Sequence, residues 1–265
     1  MARATMSRMA EPLPAALRAA RALGLDPSRL RPLGGASAAT WGAGDQVLRV
    51  GPRDRMLTEL AAAAAAATVL PVPAVLDRAE VDGDLAVLLE LRPGRPVADV
   101  VSQDPGVAGT AGAACAAVHR TLAGVPAPPG VPPVRDPPVN LAAAAEPRLL
   151  HLDLHPFNLL ADDDGGLTGV LDWANAAAGH PDLDRARTWA MLTLDPAAVA
   201  LRDEPGFADL TEAWITGGQL DRTPAAARAW ACRYMLNDLA RRYPPAALAH
   251  IRATYERLRH RTAST

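Results

Sequence analysis

The 265-residue chain contains no lysine, so arginine alone supplies its 27 basic side chains, set against 29 aspartates and glutamates. The formal net charge of −2 leaves no basic excess to hold a phosphate backbone, and a nucleic-acid partner is not expected. Cysteine is nearly absent. Cys115 and Cys232 stand far apart without a C-x-x-C, which argues against a disulfide framework or a thiolate zinc site and fits a reducing compartment. No apolar run reaches the roughly 18 residues of a membrane span. The N-terminal stretch carries arginines and an early Glu11 but no apolar core, so a signal peptide is not expected and a soluble, cytoplasmic protein is. Serine-hydrolase chemistry has no support because no G-x-S-x-G occurs. Aromatics make up only 4% and alanine dominates the 49% of hydrophobic residues, predicting a core of many small side chains.

Residues 14–24 are predicted to be a short helix, and "LRPLGGASAATWGAGDQVLRVGP" reads as two strands around glycine-rich turns. "RDRMLTELAAAAAAATVL" is a strong helix former ended by Pro71 and Pro73. In "AVLDRAEVDGDLAVLLEL" two apolar runs flank Asp82-Gly83-Asp84, a hairpin signal. "RPGRP" at 92–96 reads as a linker. Beyond it the pattern is helical over 105–123, extended through the seven prolines of 124–140, and helical again from 182 onward. The fold class is therefore α+β, with a small β-rich lobe over 1–91, a hinge at about 89–95, and a larger, mainly helical lobe over 92–265.

The segment "HLDLHPFNLLADDDGGLTGVLDW", His151 to Trp173, gathers two histidines, five aspartates and one asparagine. "FNLLA" and "LTGVLDW" flank the turn "DDDGG". With 162–166 as the loop, Ala161 pairs with Leu167 and Asn158 lies opposite Val170, so Asp172 shares a face with Asn158. This depends on register, because a one-residue slip sends the two to opposite faces. Asp153 lies five residues before Asn158, with Pro156 between them imposing a non-helical loop that can fold back. Two carboxylates and an amide oxygen are hard ligands suited to Mg²⁺ and substrate phosphates. Asp162, Asp163 and Asp164 are read as turn residues.

This segment resembles the catalytic region of the aminoglycoside phosphotransferase and choline kinase group, in which H-G-D-L-H-P-x-N is followed by I-D-W and G-D-P-x-x-D-L-A. Here the text is "HLDLHPFN", "VLDW" and "GHPDLDRA", and the resemblance extends over residues 30–190 or so. It implies a two-lobed, protein-kinase-like fold and an ATP-dependent O-phosphotransferase, with GTP as an alternative donor. Asp153 would be the catalytic base, Asn158 and Asp172 would hold Mg²⁺, and His151 and Asp184 would support the catalytic loop. His155 is assigned to loop structure. In the first lobe Arg49 would grip phosphates where the family has Lys or Arg, with Glu59 as its ion-pair partner. Gly34, Gly35 and Ser37 would offer backbone N–H groups to phosphate, and the Glu90 carbonyl and Arg92 amide would bind adenine. Leu152, Phe157 and His180 depart from the family text, and the first two are expected to narrow the acceptor pocket.

The acceptor implied is a small hydroxylated molecule: an antibiotic, an aminoalcohol or a sugar-like compound. Residues 185–265 hold 12 arginines against 8 acidic residues, which weighs against a polycationic acceptor. Two other readings stand beside this one. A zinc-dependent hydrolase would use His151, Asp153, His155 and Asp172, but leaves Asn158, Arg49 and Glu59 without a role; a catalytically inactive nucleotide-binding regulator would keep the clamp and lose turnover.

Overall fold

Short strands, two pairs of them joined by two-residue turns, build the first unit, seen in a computed structural model that describes residues 14–33, 40–142 and 146–263. Strands β1 (Leu30–Pro32), β2 (Thr40–Ala43), β3 (Gln46–Pro52), β4 (Val75–Val81) and β5 (Asp84–Glu90) form an antiparallel sheet in the order β1-β2-β3-β5-β4. The Asp82-Gly83 hairpin forms as expected: both residues are left-handed, with φ of 54° and 88°, the combination that matches the twist of two antiparallel strands. Helix α1 (Pro14–Ala22) lays Ala16, Ala19 and Ala20 against Leu30, Trp41, Leu48, Val50 and Ala86. That i, i+3, i+4 stripe of methyl groups lets the helix sit close to the sheet. Where two strands are expected before the alanine-rich helix there are three, because β1 is too short to show a period of two.

The chain divides into two compact units, one of residues up to Thr58 with Pro73–Arg92, the other of Glu59–Val72 with Pro93–Thr265. Helix α2 (Arg53–Ala66) is split between them, and the buried Ala62 and Ala66 belong to the core of the larger unit.

In the larger unit the expected linker at 92–96 is partly structured. Arg95–Pro96 is a strand, β6, and leads into helix α3 (Val97–Gln103), where no element was expected. Gly94 precedes it at φ +97°, where a Cβ would collide with Ala161 and Thr168. Helix α4 (Ala108–Leu122) packs on α8 (Pro205–Gly218) through Gly112, where a Cβ would stand 2.6 Å from the Leu210 carbonyl oxygen. Between these helices come α5 (Val139–Ala142), β7 (Arg148–Leu150), β8 (Leu159–Ala161), β9 (Leu167–Val170), β10 (Ala177–Gly179), α6 (Pro181–Leu194) and α7 (Pro196–Leu201); α9 (Ala225–Leu239) and α10 (Ala249–Ala263) follow. Helices α6, α7 and α8 each begin on a proline, whose missing N–H would be unpaired in a first turn anyway.

Two small sheets, β6-β8-β9 and β10-β7, form around the segment 151–176. The β8–β9 pairing corrects the expected register. Ala161 does face Leu167, but a bulge at Thr168 makes Leu160 pair with Gly169 and Leu159 with Val170. Asn158 therefore lies across from Leu171, not Val170. A bulge sets two residues of one strand against one of its partner, so Asn158 shares its face with Leu171 rather than with Asp172, and the face-sharing argument fails as stated.

Candidate active site

The loop between β7 and β8 turns on Leu152, a non-glycine residue at φ 63°. Such a left-handed residue costs about 1–2 kcal/mol, so something must hold it. One face of α6 does. The Asp184 carboxylate accepts from the Leu152 N–H at 2.6 Å, Arg187 Nε donates to the Leu152 carbonyl at 3.3 Å, and the Thr188 hydroxyl donates to the Leu154 carbonyl at 3.1 Å. Positions i, i+3 and i+4 of a helix share one side, so three backbone contacts to Leu152 and Leu154 come from one turn. Each bond to a charged group is worth about 1.5–3 kcal/mol, enough to offset the strain. Helix α6 starts where it does because His180 caps it, its ring accepting from the Asp182 N–H at 3.2 Å and so satisfying one of the unpaired amides of the first turn. The carbonyl of Pro156 accepts from Ala98 N–H of α3 at 3.1 Å, anchoring the far side of the loop.

Held in this way, Asp153 is half-buried and its Oδ2 accepts from Asn175 Nδ2 at 3.2 Å and Asn158 Nδ2 at 3.4 Å. Asn158 Nδ2 also donates to the Asp153 carbonyl at 2.9 Å. With the amide nitrogen spent on Asp153, the oxygen of Asn158 is the donor atom it can offer a cation.

The approach of Asp172 to this loop comes from backbone ties, not strand periodicity. The Leu171 N–H donates to the Asn158 carbonyl at 2.8 Å, and the Leu171 carbonyl accepts from His151 Nε2 at 2.8 Å. The next residue, Asp172, leaves the strand at φ 59°, a conformation aspartate tolerates better than most residues. His151 is fully buried and its ring packs on Trp173 with centroids 4.6 Å apart. Its Nε2 meets a carbonyl and its Nδ1 accepts from the Asp153 N–H at 3.3 Å. A carbonyl only accepts and an amide only donates, so the proton sits on Nε2. Both ring nitrogens are committed to backbone. Among the described residues no three His, Cys, Asp or Glu side chains gather as a metal-binding group, so the zinc reading of His151, Asp153, His155 and Asp172 has no geometric support. Asn158 and Asp172 instead supply an amide and a carboxylate oxygen, a donor set that fits magnesium.

Burial would raise the Asp184 carboxyl, but the close approach of His119, with further help from His151 and the Leu152 N–H, holds it below its ordinary value of 3.8. His119, on α4, lies 3.5 Å from Asp184 with both groups buried. His155 moves the other way for a base: burial lowers it from 6.5 despite the nearby charges of Asp153 and Asp172. Between the lowered folded value and 6.5 the unfolded chain binds more protons, so stability increases with pH across that window and its His155 share is lost on acidification below 6.5. The Asp184 share is present above 3.8 and lost only as pH falls through its folded value. Urea unfolding at about pH 7.5 and about pH 5 therefore shows a smaller loss on acidification for His155→Gln than for the unsubstituted chain; an equal loss would exclude His155 as the source. The thiols are inert, since burial pushes Cys115 far up and Cys232 up to about 12.

Arg49 is half-buried on β3, across from Thr40 and Val87, whereas Glu59 is buried on α2 in the part belonging to the larger unit. Glu90 uses its carboxylate on the Ala74 N–H at 3.2 Å and on Arg92 at 3.1 Å, contacts that hold the start of β4 to the end of β5. Gly34, Gly35 and Ser37 lie outside the described residues. Phe157 is 60% exposed beside Asn158 and Leu152 is buried, so of the two residues expected to narrow the acceptor pocket only Phe157 presents an apolar surface. Asn175, His119, Arg187 and Thr188 were not anticipated. The spacing 184, 187, 188 on one helical face is the signal that could have identified the last two; for His119 and Asn175 no local signal exists.

Residues 29–146 and 136–230 match the sequence profile of the Phosphotransferase enzyme family. Among curated proteins none matches significantly. Similar solved structures include ADP-bound aminoglycoside phosphotransferase APH(2'')-Ib, at 13% identity over 91% of this chain and 98% of that one, with a TM-score of 0.58. A GDP complex of an aminoglycoside 2'-phosphotransferase gives 16% identity, 88% and 91% coverage, and a TM-score of 0.54. Aminoglycoside phosphotransferase APH(3'')-Id from Streptomyces rimosus, with ADP and streptomycin, gives 16% identity, 78% and 94% coverage, and 0.54. The fold is thus the α+β, kinase-like one of these enzymes, with an antiparallel-sheet N-terminal part and a helical C-terminal part.

Proposed function

Because the chain belongs to the phosphotransferase enzyme family, we propose that it moves the terminal phosphoryl group of a magnesium-bound nucleoside triphosphate, ATP or GTP, to a hydroxyl of a small molecule. The observation that carries this reading is the half-buried Asp153 carboxylate, aimed by two asparagine amides on a loop whose peptides are tied from both sides. Asp153 accepts the acceptor's hydroxyl proton as the new oxygen–phosphorus bond forms and the bridging bond to the nucleoside diphosphate breaks. A base so placed contributes about 10²–10⁴-fold, or roughly 3–5 kcal/mol of the barrier. Asn158 and Asp172 would hold magnesium, which when bound neutralises charge on the phosphate oxygens. His151 acts through backbone, fixing the Leu171 carbonyl next to Asp172 and the Asp153 N–H together.

The assignments in the first unit rest on sequence correspondence. Arg49 is assigned to the nucleotide phosphates with Glu59 as its partner, Gly34, Gly35 and Ser37 to phosphate through backbone N–H groups, and the backbone of Glu90 and Arg92 to the base. Residues up to 91 then form the nucleotide-binding part and 92–265 the catalytic and acceptor-binding part. The relatives named above act on aminoglycosides, but the arginine excess over 185–265 favours an acceptor with less positive charge. Calorimetry with Mg²⁺–ATP and an ADP-release screen over hydroxylated antibiotics, aminoalcohols and sugars test the reading together. Saturable nucleotide binding with ADP release on one acceptor class is expected; no binding of Mg²⁺–ATP or Mg²⁺–GTP would reject it. Among the described residues no helix is long and apolar enough to cross a membrane.

A further inference from the structure

Arg187 is buried, with 5% of its surface exposed, yet it is not placed as a stabilising residue would be. Its Nη1 makes no hydrogen bond, and a buried cation with one arm unsatisfied is a poor use of core volume compared with an apolar side chain of similar size. Its other groups are all engaged. Nε donates to the Leu152 carbonyl at 3.3 Å, Nη2 meets the Asp238 carboxylate at 3.0 Å, and the guanidinium carbon lies 4.4 Å from the centre of the Tyr234 ring. Asp238 and Tyr234 stand one helical turn apart on α9, so a single turn of that helix grips the guanidinium by charge and by its π-face. The grip ends on the peptide that joins left-handed Leu152 to Asp153. Asp184 secures the N–H of Leu152, and His151 Nδ1 accepts from the N–H of Asp153 at 3.3 Å; with the Leu152 carbonyl held as well, the peptide between them is tied at both its polar ends, and with it the direction in which the Asp153 side chain leaves the backbone. Burial raises the Asp238 carboxyl despite Arg187, with the charge of Asp153 adding to the rise, so α9 lies within the electrostatic reach of the base.

We infer that Arg187 is a positioning residue for the base: anchored on Asp238 and Tyr234, it fixes the Leu152 carbonyl and so the aim of Asp153. The inference rests on the proposed phosphotransfer for its kinetic consequence, but not for its structural one. A lysine ammonium is a point donor that cannot span the Leu152 carbonyl and Asp238 together, which makes Arg187→Lys the informative variant. With Mg²⁺–ATP and water as acceptor, ADP release by Arg187→Lys is expected to have kcat lowered about tenfold or more, with KM for nucleotide within about twofold. Asp238→Asn should show a smaller loss of the same kind, and the double variant should be no slower than Arg187→Lys alone, since both changes cut one chain of contacts. Hydrogen exchange of the 151–155 amides should quicken in Arg187→Lys by about tenfold. A purely structural arginine would instead lower Tm and leave kcat per folded molecule unchanged. Turnover within about twofold of the parent, or additive losses in the double variant, would overturn the assignment. If the parent chain releases no ADP onto water, the exchange measurement decides alone: quickened amides support the positioning role and unchanged ones reject it. Should Arg187→Lys fold poorly, Asp238→Asn carries both readouts.

Discussion

Asp153→Ala is expected to lower ADP release by about 10²–10⁴-fold while leaving Mg²⁺–nucleotide affinity within about threefold. The carboxylate accepts from side-chain amides of Asn158 and Asn175, and neither bond carries the fold: Asn158 is only part-buried and Asn175 is exposed, so both donors can turn to water. The loop around it is held by main-chain bonds to Asp184, Arg187 and Thr188, which alanine at 153 leaves in place. Loss of activity without loss of Tm or nucleotide binding therefore isolates proton transfer from architecture. Equal turnover in the variant would remove Asp153 as the base, and the reading of a catalytically inactive regulator would gain accordingly.

The second large effect is expected for Asp172→Asn. Asparagine tolerates the left-handed backbone at this position, φ 59°, nearly as well as aspartate does, so the turn out of β9 survives while the negative charge is removed. An amide is a far weaker magnesium ligand than a carboxylate, and loss of a catalytic ion removes several kcal/mol of charge stabilisation. Turnover should fall about 10³-fold or more, and nucleotide affinity should lose most of its dependence on magnesium, unlike in Asp153→Ala. Titration of Mg²⁺ at fixed nucleotide separates the two variants. A magnesium dependence matching that of the parent would show that Asp172 holds no ion.

These predictions rest on residues that differ in how visible they are before folding. The Asp82-Gly83 hairpin is legible because its signal is complete within four residues: two left-handed formers between apolar runs. The segment from His151 to Asp184 is legible by resemblance, since its text is long and its spacing specific. Its geometry is not. The expected register placed Asn158 opposite Val170, and the bulge at Thr168 shifts it by one; what ties the two strands there is Leu171, next to Asp172, whose N–H and carbonyl are bound by the Asn158 carbonyl and His151. Strands of three residues such as β7 and β10 carry too few side chains to show alternation, and the proline-rich stretch 124–140 shows nothing of its bridges at Pro126 and Pro133 to the β7–β10 sheet.

What the chain's text alone determined is therefore the chemistry available: a lysine-free, mildly acidic α+β protein with hard oxygen donors clustered between His151 and Trp173. Tertiary structure decided which atoms serve. It spent the Asn158 nitrogen on Asp153, committed both nitrogens of His151 to backbone, and recruited Arg187, Thr188 and His119 from distant helices. The physical reason is that hydrogen bonds between residues dozens of positions apart follow from packing of α4, α6 and α9 around the loop, and no local pattern encodes the direction in which a donor points.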